Sequence, residues 1–223
     1  MTVGAIVAAA GRGERLGAEV AKALVPVRGE PLVVHAVRML TDAGIGHVVV
    51  CAPPDDCARV DELVGGAAVV VSGGATRSES VRRGLAALPP DVDTVLVHDA
   101  ARAFMPVDVI RSVVAAVVDG EADAVVPVLP VADTVKEVAD GIVVATVDRS
   151  RLRAVQTPQG FRREVLAAAH KAAAADDATD DAALVEASGR TVETVPGSPY
   201  GLKVTTAFDL AVVEALLGQQ VSR

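Results

Sequence analysis

The residues with the most chemistry to offer stand directly after the first apolar run: Ala8-Ala9-Ala10-Gly11-Arg12-Gly13-Glu14-Arg15-Leu16-Gly17, with Lys22 close behind. Small residues let backbone N–H groups approach an anion, and the first turn after a parallel strand is where phosphates sit. Two cations, Arg15 and Lys22, beside such a cradle suit a nucleoside triphosphate, whose charge grows as its phosphorus is attacked. Spacing excludes two other phosphate motifs. A dinucleotide fingerprint wants Gly-x-Gly-x-x-Gly opening the helix at once, and here the third glycine falls one place late; the Walker loop wants a Gly-Lys-Ser/Thr that does not follow. A Gly-x-Gly after a strand is also an ordinary tight turn, so the loop alone leaves both readings open.

The elements that must hold this loop follow from hydrophobic pattern. Short β-branched runs recur at Val3–Ala8, His47–Ala52, Ala67–Val71, Thr94–His98 and Ala124–Val128, and helical spacing fills Pro31–Ala43, Asp55–Val64, Thr76–Leu88 and Pro106–Val118. Pro31 and Pro106 suit a first helical turn, and Thr76 with Glu79 makes a capping box. Continuous apolar strands imply a sheet covered on both faces, so the expected fold is α/β, a doubly wound, mostly parallel Rossmann-like domain. After Pro130 the pattern changes: Val131–Val138 and Ile142–Val147 flank Ala139-Asp140-Gly141, and Asp-Gly is a strong hairpin signal. This predicts an antiparallel arm at about 131–150, too small to be stable alone and therefore expected to pair with the same arm of a second subunit. Beyond it come Ala154–Gln156, a helix from Arg163 to about Ala175, an Ala/Asp patch at 172–183 read as a solvated helix end and loop, and a short helix to Ser188. Thr191–Val195, Leu202–Val204 and a last helix from about Ala207 to Leu217 complete the chain, and nothing marks a second domain.

Composition removes several functions. With 21 basic against 29 acidic residues the net charge is −8, which opposes a general grip on nucleic acid or anionic membrane. Aromatics make up 2%, with no Trp, which disfavours modules that stack single-stranded bases. Cys51 and Cys57 form neither a disulfide framework nor a metal cluster, the cytoplasm is the expected compartment, and no apolar run reaches membrane-spanning length. The start lacks a basic segment before its apolar stretch and reads as a first strand, not a signal peptide.

Read together, the motifs carry a resemblance. AAAGRGERLG followed by Lys22 resembles the nucleotide loop of small sugar-nucleotide and polyol-phosphate nucleotidyltransferases, and Gly73-Gly74-Ala75-Thr76-Arg77-Ser78-Glu79-Ser80-Val81 resembles their second glycine motif. His98-Asp99-Ala100-Ala101-Arg102, Asp133-Thr134-Val135-Lys136, Thr157-Pro158-Gln159, Thr179-Asp180-Asp181 and Lys203-Val204-Thr205 resemble later motifs of that group, in the same order. The chain is thus similar to the polyol-phosphate cytidylyltransferase family, above all to members acting on 2-C-methyl-D-erythritol 4-phosphate. Ribitol 5-phosphate is the alternative acceptor, and a non-catalytic nucleotide-binding relic the alternative class. Arg15, Lys22 and Lys203, which a relic would lose, are all present.

The resemblance implies roles. Ala9, Ala10, Gly11, Gly13, Gly74 and Ser80 would hold CTP; Arg15 and Lys22 would stabilise charge on its α-phosphate. Asp99, Arg102, Thr179 and Lys203 would bind the polyol phosphate, with Lys203 on the phosphate itself. Thr134 and Arg149 would reach that substrate from the other subunit of a homodimer. Mg²⁺ would be bound mainly through CTP oxygens and water, with Asp99 the one candidate carboxylate. An already ionised phosphate nucleophile needs no general base, and none is nominated. Three departures touch neighbouring contacts and no cation: Ala21-Lys22-Ala23 where Pro-Lys-Gln is common, Ala103 where proline is usual, and Ala75 where an acid is frequent.

Overall fold

The computed structural model describes residues 1–11, 20–120, 122–173 and 179–220. In chain order the elements are β1 (Thr2–Ala8), β2 (Pro26–Val27), β3 (Glu30–Pro31), α1 (Leu32–Asp42), β4 (His47–Ala52), α2 (Cys57–Val64), β5 (Val69–Ser72), α3 (Arg77–Ala87), β6 (Val92–Asp99), α4 (Val107–Asp119) and β7 (Ala124–Pro130). There follow β8 (Val135–Ala139), β9 (Ile142–Val147), β10 (Arg153–Val155), β11 (Gln159–Arg162), α5 (Arg163–Ala172), α6 (Asp181–Ala187), β12 (Val192–Pro196) and α7 (Ala207–Gln220).

The main sheet has the order β10-β7-β11-β6-β1-β4-β5, with β12 also on β7. β1 lies parallel to both β4 and β6, β4 to β5, and β12 to β7. The uninterrupted apolar runs resolve into two faces with the period of two that a strand requires. Ala5 and Val7 pack with α1 residues Leu32, Ala36 and Leu40 and with α4 residues Ile110, Val113 and Val117. Ile6 between them joins Val49, Val95, Val97 and Phe161 beneath Val81 of α3 and Val165, Leu166 and Ala169 of α5. Gly84 lets α3 settle on this second face: a Cβ there would stand 2.5 Å from Ile6 Cγ2 and 3.0 Å from Cys51 Sγ.

Helix starts follow the local chemistry. Pro31 and Pro106 take the N-cap positions of α1 and α4 at φ near −60°, one place before the first helical residue. Thr76 caps α3 by accepting from the Glu79 N–H at 3.1 Å, and the Glu79 carboxylate reaches back to the Ala75 N–H at 2.7 Å.

The arm forms as an antiparallel β8–β9 pair separate from the main sheet. Asp140 and Gly141 both have positive φ, 49° and 78°, the geometry of a tight two-residue hairpin turn. Its apolar residues stay open: Val138, Ile142, Val143 and Val144 are 55–69% exposed.

Three expectations are corrected. Gln159–Arg162, not expected as a strand, is β11, which runs antiparallel between β6 and β7 and buries Phe161. Its four residues Gln-Gly-Phe-Arg lack a β-branched run, and Gly160 is there because a Cβ would meet Val113 Cγ1 at 2.7 Å. Leu202–Val204 is irregular backbone, tied by the Val204 N–H to the Ala101 carbonyl at 2.8 Å. The Ala/Asp patch is not solvated throughout: Asp180 caps α6, and Asp181 is 1% exposed and ion-paired.

Candidate active site

The carboxyl ends of β1, β4, β5 and β6 release their loops on one edge of the sheet, on both sides of the point where strand order reverses around β1. A pocket of about 1280 Å³ opens there, lined by Ala8–Gly11, Lys22, Asp55, Asp56, Gly73–Arg77, Ser80, Arg83, Asp99–Ala101, Lys203 and Thr205. That is where an open α/β sheet binds its ligands.

Two glycine-rich turns form one wall. The Ala9 N–H donates to the Cys51 carbonyl at 3.0 Å and the Gly73 N–H to the Ala52 carbonyl at 2.7 Å, so both turns are pinned to the end of β4. They touch each other closely enough that a Cβ on Gly73 would stand 2.5 Å from Ala10 Cβ. Ser80 braces the second turn, accepting from the Gly74 N–H and donating to the Thr76 carbonyl, each at 3.0 Å. Ser80 as a whole is 2% exposed, and its hydroxyl is engaged with the turn itself. Lys22 begins a single 3-10 turn, Lys22–Leu24, anchored by buried Ala23 and Leu24.

Charges converge next to these turns, where β6 ends beside β1. Asp99, at the end of β6 and 8% exposed, has Oδ1 3.5 Å from Arg77 Nε and Oδ2 2.6 Å from Lys203 Nζ. Burial raises the Asp99 carboxyl, but Arg77 and then Lys203 outweigh it and bring it down to about 2. Arg77 also meets Asp181 Oδ2 at 2.5 Å, and the other oxygen of Asp181 lies 2.9 Å from His170 Nε2. Asp99's backbone is fixed as well, its N–H donating to the Thr157 hydroxyl at 3.0 Å, which in turn stands 3.1 Å from Nδ1 of His98. His98 is wholly buried; desolvation, against the pull of Asp99, lowers its imidazole to about 4, so it is neutral at ordinary pH.

Of the residues the sequence nominates, Ala9, Ala10, Gly11, Lys22, Gly74, Ser80, Asp99 and Lys203 meet in this pocket. Gly13 and Arg15 lie outside the described residues. Arg102 stands behind the pocket, donating to the carbonyls of Gly201 at 2.8 Å and Val155 at 3.2 Å. Thr179 is exposed beside the start of α6. Thr134 and Arg149 are exposed at the root of the arm, where Arg149 donates to the Val131 and Ala132 carbonyls. Neither lines the pocket of its own chain.

Sequence reasoning passed over Arg77 and Asp181. A signal was present: Arg77 opens a helix, where the dipole disfavours a cation, so its placement needed another cause. Among the described residues, no group of three or more His, Cys, Asp or Glu side chains is placed to hold a metal ion, and no helix is long and apolar enough to cross a membrane.

Comparison with known proteins agrees with this geometry. The sequence profile of the IspD family, 2-C-methyl-D-erythritol 4-phosphate cytidylyltransferase, matches residues 3–219. A protein of that name from Saccharopolyspora erythraea is 60% identical, the match covering 97% of this chain and all of the relative; one from Streptomyces avermitilis is 50% identical over 97% of this chain and 92% of the relative. Among solved structures, the 4-diphosphocytidyl-2C-methyl-D-erythritol synthase of Anaerococcus prevotii superposes with a TM-score of 0.84 at 27% identity, covering 97% of this chain and 98% of that one. The 2-C-methyl-D-erythritol 4-phosphate cytidylyltransferase of Thermus thermophilus gives 0.76 at 35% identity, covering the same shares. The chain belongs to the 2-C-methyl-D-erythritol 4-phosphate cytidylyltransferase family.

Proposed function

We propose that this enzyme transfers the cytidylyl group of CTP to 2-C-methyl-D-erythritol 4-phosphate, releasing pyrophosphate and forming 4-diphosphocytidyl-2-C-methyl-D-erythritol, a step of the non-mevalonate route to isoprenoid precursors. The observation that carries the reading is the pocket itself: it joins two small-residue turns to a cluster in which Lys203 and Arg77 flank Asp99, and Lys22 also lines it. The turns suit a triphosphate and the charge cluster a second anion.

An oxygen of the acceptor phosphate attacks the α-phosphorus of CTP, the new O–P bond forms, and the bond to the bridging oxygen of the β-phosphate breaks. The nucleophile is already ionised, so no proton has to be removed, in keeping with the complete burial of His98, the imidazole next to Asp99 in the chain. The work is positioning and charge stabilisation. Backbone N–H groups of Ala10, Gly11 and Gly13 cradle the nucleotide, while the Ala9 and Gly74 N–H groups, engaged with the Cys51 carbonyl and the Ser80 hydroxyl, hold their turns in shape against it. Lys22 and Arg15 meet the charge that develops on the α-phosphate. Lys203 takes the acceptor phosphate and Asp99 and Thr179 its polyol, while Arg102, bonded to the Gly201 and Val155 carbonyls, braces the segment that leads to Lys203.

Mg²⁺ fits this donor set only as an ion carried by substrate. Both oxygens of Asp99 are paired with cations, so CTP phosphates and water would supply most of the ligands, with Asp99 the nearby carboxylate. When bound, the ion offsets repulsion between the two phosphates.

The arm is the proposed dimer contact. Val138, Ile142, Val143 and Val144 leave apolar side chains exposed on a two-stranded element that is marginal alone, and a two-fold contact would bury part of them. Thr134 and Arg149 would then complete the partner's acceptor site.

Pyrophosphate release with Mg²⁺ tests the whole reading. CTP with 2-C-methyl-D-erythritol 4-phosphate should turn over well, ribitol 5-phosphate poorly, and ATP poorly, because the tight Ala/Gly turns leave little volume for a purine. Equal turnover with ribitol 5-phosphate, or with ATP, refutes it.

A further inference from the structure

Arg77 stands at the first position of α3, where unpaired backbone N–H groups and the helix dipole oppose a cation. Its guanidinium turns to two carboxylates from distant parts of the chain, Asp99 at 3.5 Å and Asp181 at 2.5 Å. Asp181 is held in turn by His170 at 2.9 Å, and Asp99 carries Lys203 at 2.6 Å on its other oxygen. The result is a continuous chain of hydrogen-bonded and ion-paired side chains, His170–Asp181–Arg77–Asp99–Lys203.

The two cations on Asp99 are not equivalent. Arg77 is a planar fork pinned on two sides, with a side chain 31% exposed; Lys203 is a point charge on a flexible stem, 44% exposed. A phosphate dianion entering the pocket competes with Asp99 for the Lys203 ammonium. If Lys203 were the sole counterion, its transfer would strand a carboxylate that is 8% exposed, and an uncompensated buried charge is costly. We propose that Arg77 is a positioning residue that keeps Asp99 charged and fixed, so that the Lys203 ammonium can pass from Asp99 to the phosphate of the incoming acceptor. Asp181 serves the same end by aiming Arg77. This inference rests on the reading of Lys203 as the acceptor-phosphate ligand.

Steady-state kinetics of Arg77→Met, Arg77→Lys, Asp99→Asn and Asp99→Asn/Arg77→Met test it. Arg77→Met should raise KM for 2-C-methyl-D-erythritol 4-phosphate by roughly ten- to a hundredfold, the worth of a charge-assisted contact, while KM for CTP stays within about twofold. Arg77→Lys should recover part of the loss. In the Asp99→Asn background Arg77→Met should add less than about twofold, because no carboxylate is left to hold. Equal rises in both KM values, or full additivity with Asp99→Asn, would show a merely structural role and overturn the proposal. Should Arg77→Met fail to fold, Asp181→Asn provides the same test: a rise in acceptor KM alone supports the proposal, and an unchanged acceptor KM overturns it. A wild-type enzyme inactive on this acceptor overturns the function itself along with the inference; an active one whose Arg77 and Asp181 variants keep its acceptor KM overturns the inference alone.

Discussion

Gly73→Ala isolates what the contact between the two glycine-rich turns contributes to nucleotide binding. The added Cβ would stand 2.5 Å from Ala10 Cβ, 3.1 Å from the Ala52 carbonyl oxygen and 3.1 Å from Ser80 Oγ. Carbon atoms pack at roughly 3.5–4.0 Å, so the shortfall against Ala10 is at least ~1 Å. The Ala52 carbonyl ends a central strand and accepts the Gly73 N–H, so it cannot give way; the turn carrying Ala9, Ala10 and Gly11 must. Overpacking of this kind costs about 1–3 kcal/mol. In the free protein the turn relaxes outward, and CTP binding has to pull it back, so the cost appears in Kd as roughly a five- to hundredfold loss at ~1.4 kcal/mol per tenfold. Titration calorimetry with CTP measures it. Ala10→Gly removes the closest atom, so the Ala10→Gly/Gly73→Ala pair should regain most of the affinity although the two 3.1 Å contacts remain. An unchanged Kd for Gly73→Ala, or a double variant no better than the single, would refute the coupling of the two turns.

Lys22→Ala should lower kcat by ~10²–10³ with little change in CTP affinity, because a cation meeting transition-state charge acts on the barrier; a change confined to KM would show that Lys22 binds only the ground state. Mixing Lys22→Ala with Arg149→Ala chains under subunit exchange should restore activity, since one site of each mixed dimer then has both residues, and no recovery would remove Arg149 from the partner's site. His98 is held at about 4 against ~6.5 in an unfolded chain, so between those values the unfolded state binds the extra proton and stability rises with pH. Its contribution is complete above pH ~6.5 and is lost on acidification toward 4, by up to ~3 kcal/mol. Urea midpoints over that window should therefore fall less steeply for His98→Gln than for the wild type, and parallel slopes would refute the assignment.

What the sequence discloses and what it hides have different physical origins. β1, β4 and β6 are legible because burial on both faces demands unbroken Val, Ile and Ala, and α3 is legible because its cap is local chemistry between Thr76 and Glu79. The arm is legible because Asp140 and Gly141 have to take positive φ. β11 escapes such reading because it is specified from outside: Gly160 answers to Val113 and Val117 of α4, and the pairing partners of the strand lie far upstream, in β6 and β7. The site divides the same way. The phosphate-facing turns carry their signature in consecutive small residues, whereas the charge chain joins positions 77, 99, 170, 181 and 203, which no local window contains. An arginine at a helix start looks like a solvated charge until Asp99 and Asp181 are folded against it. That a segment as polar as Thr179-Asp180-Asp181 buries its last carboxylate follows from the same cause: the Arg77 guanidinium from α3 and the His170 imidazole from α5 offset the desolvation that composition alone makes prohibitive.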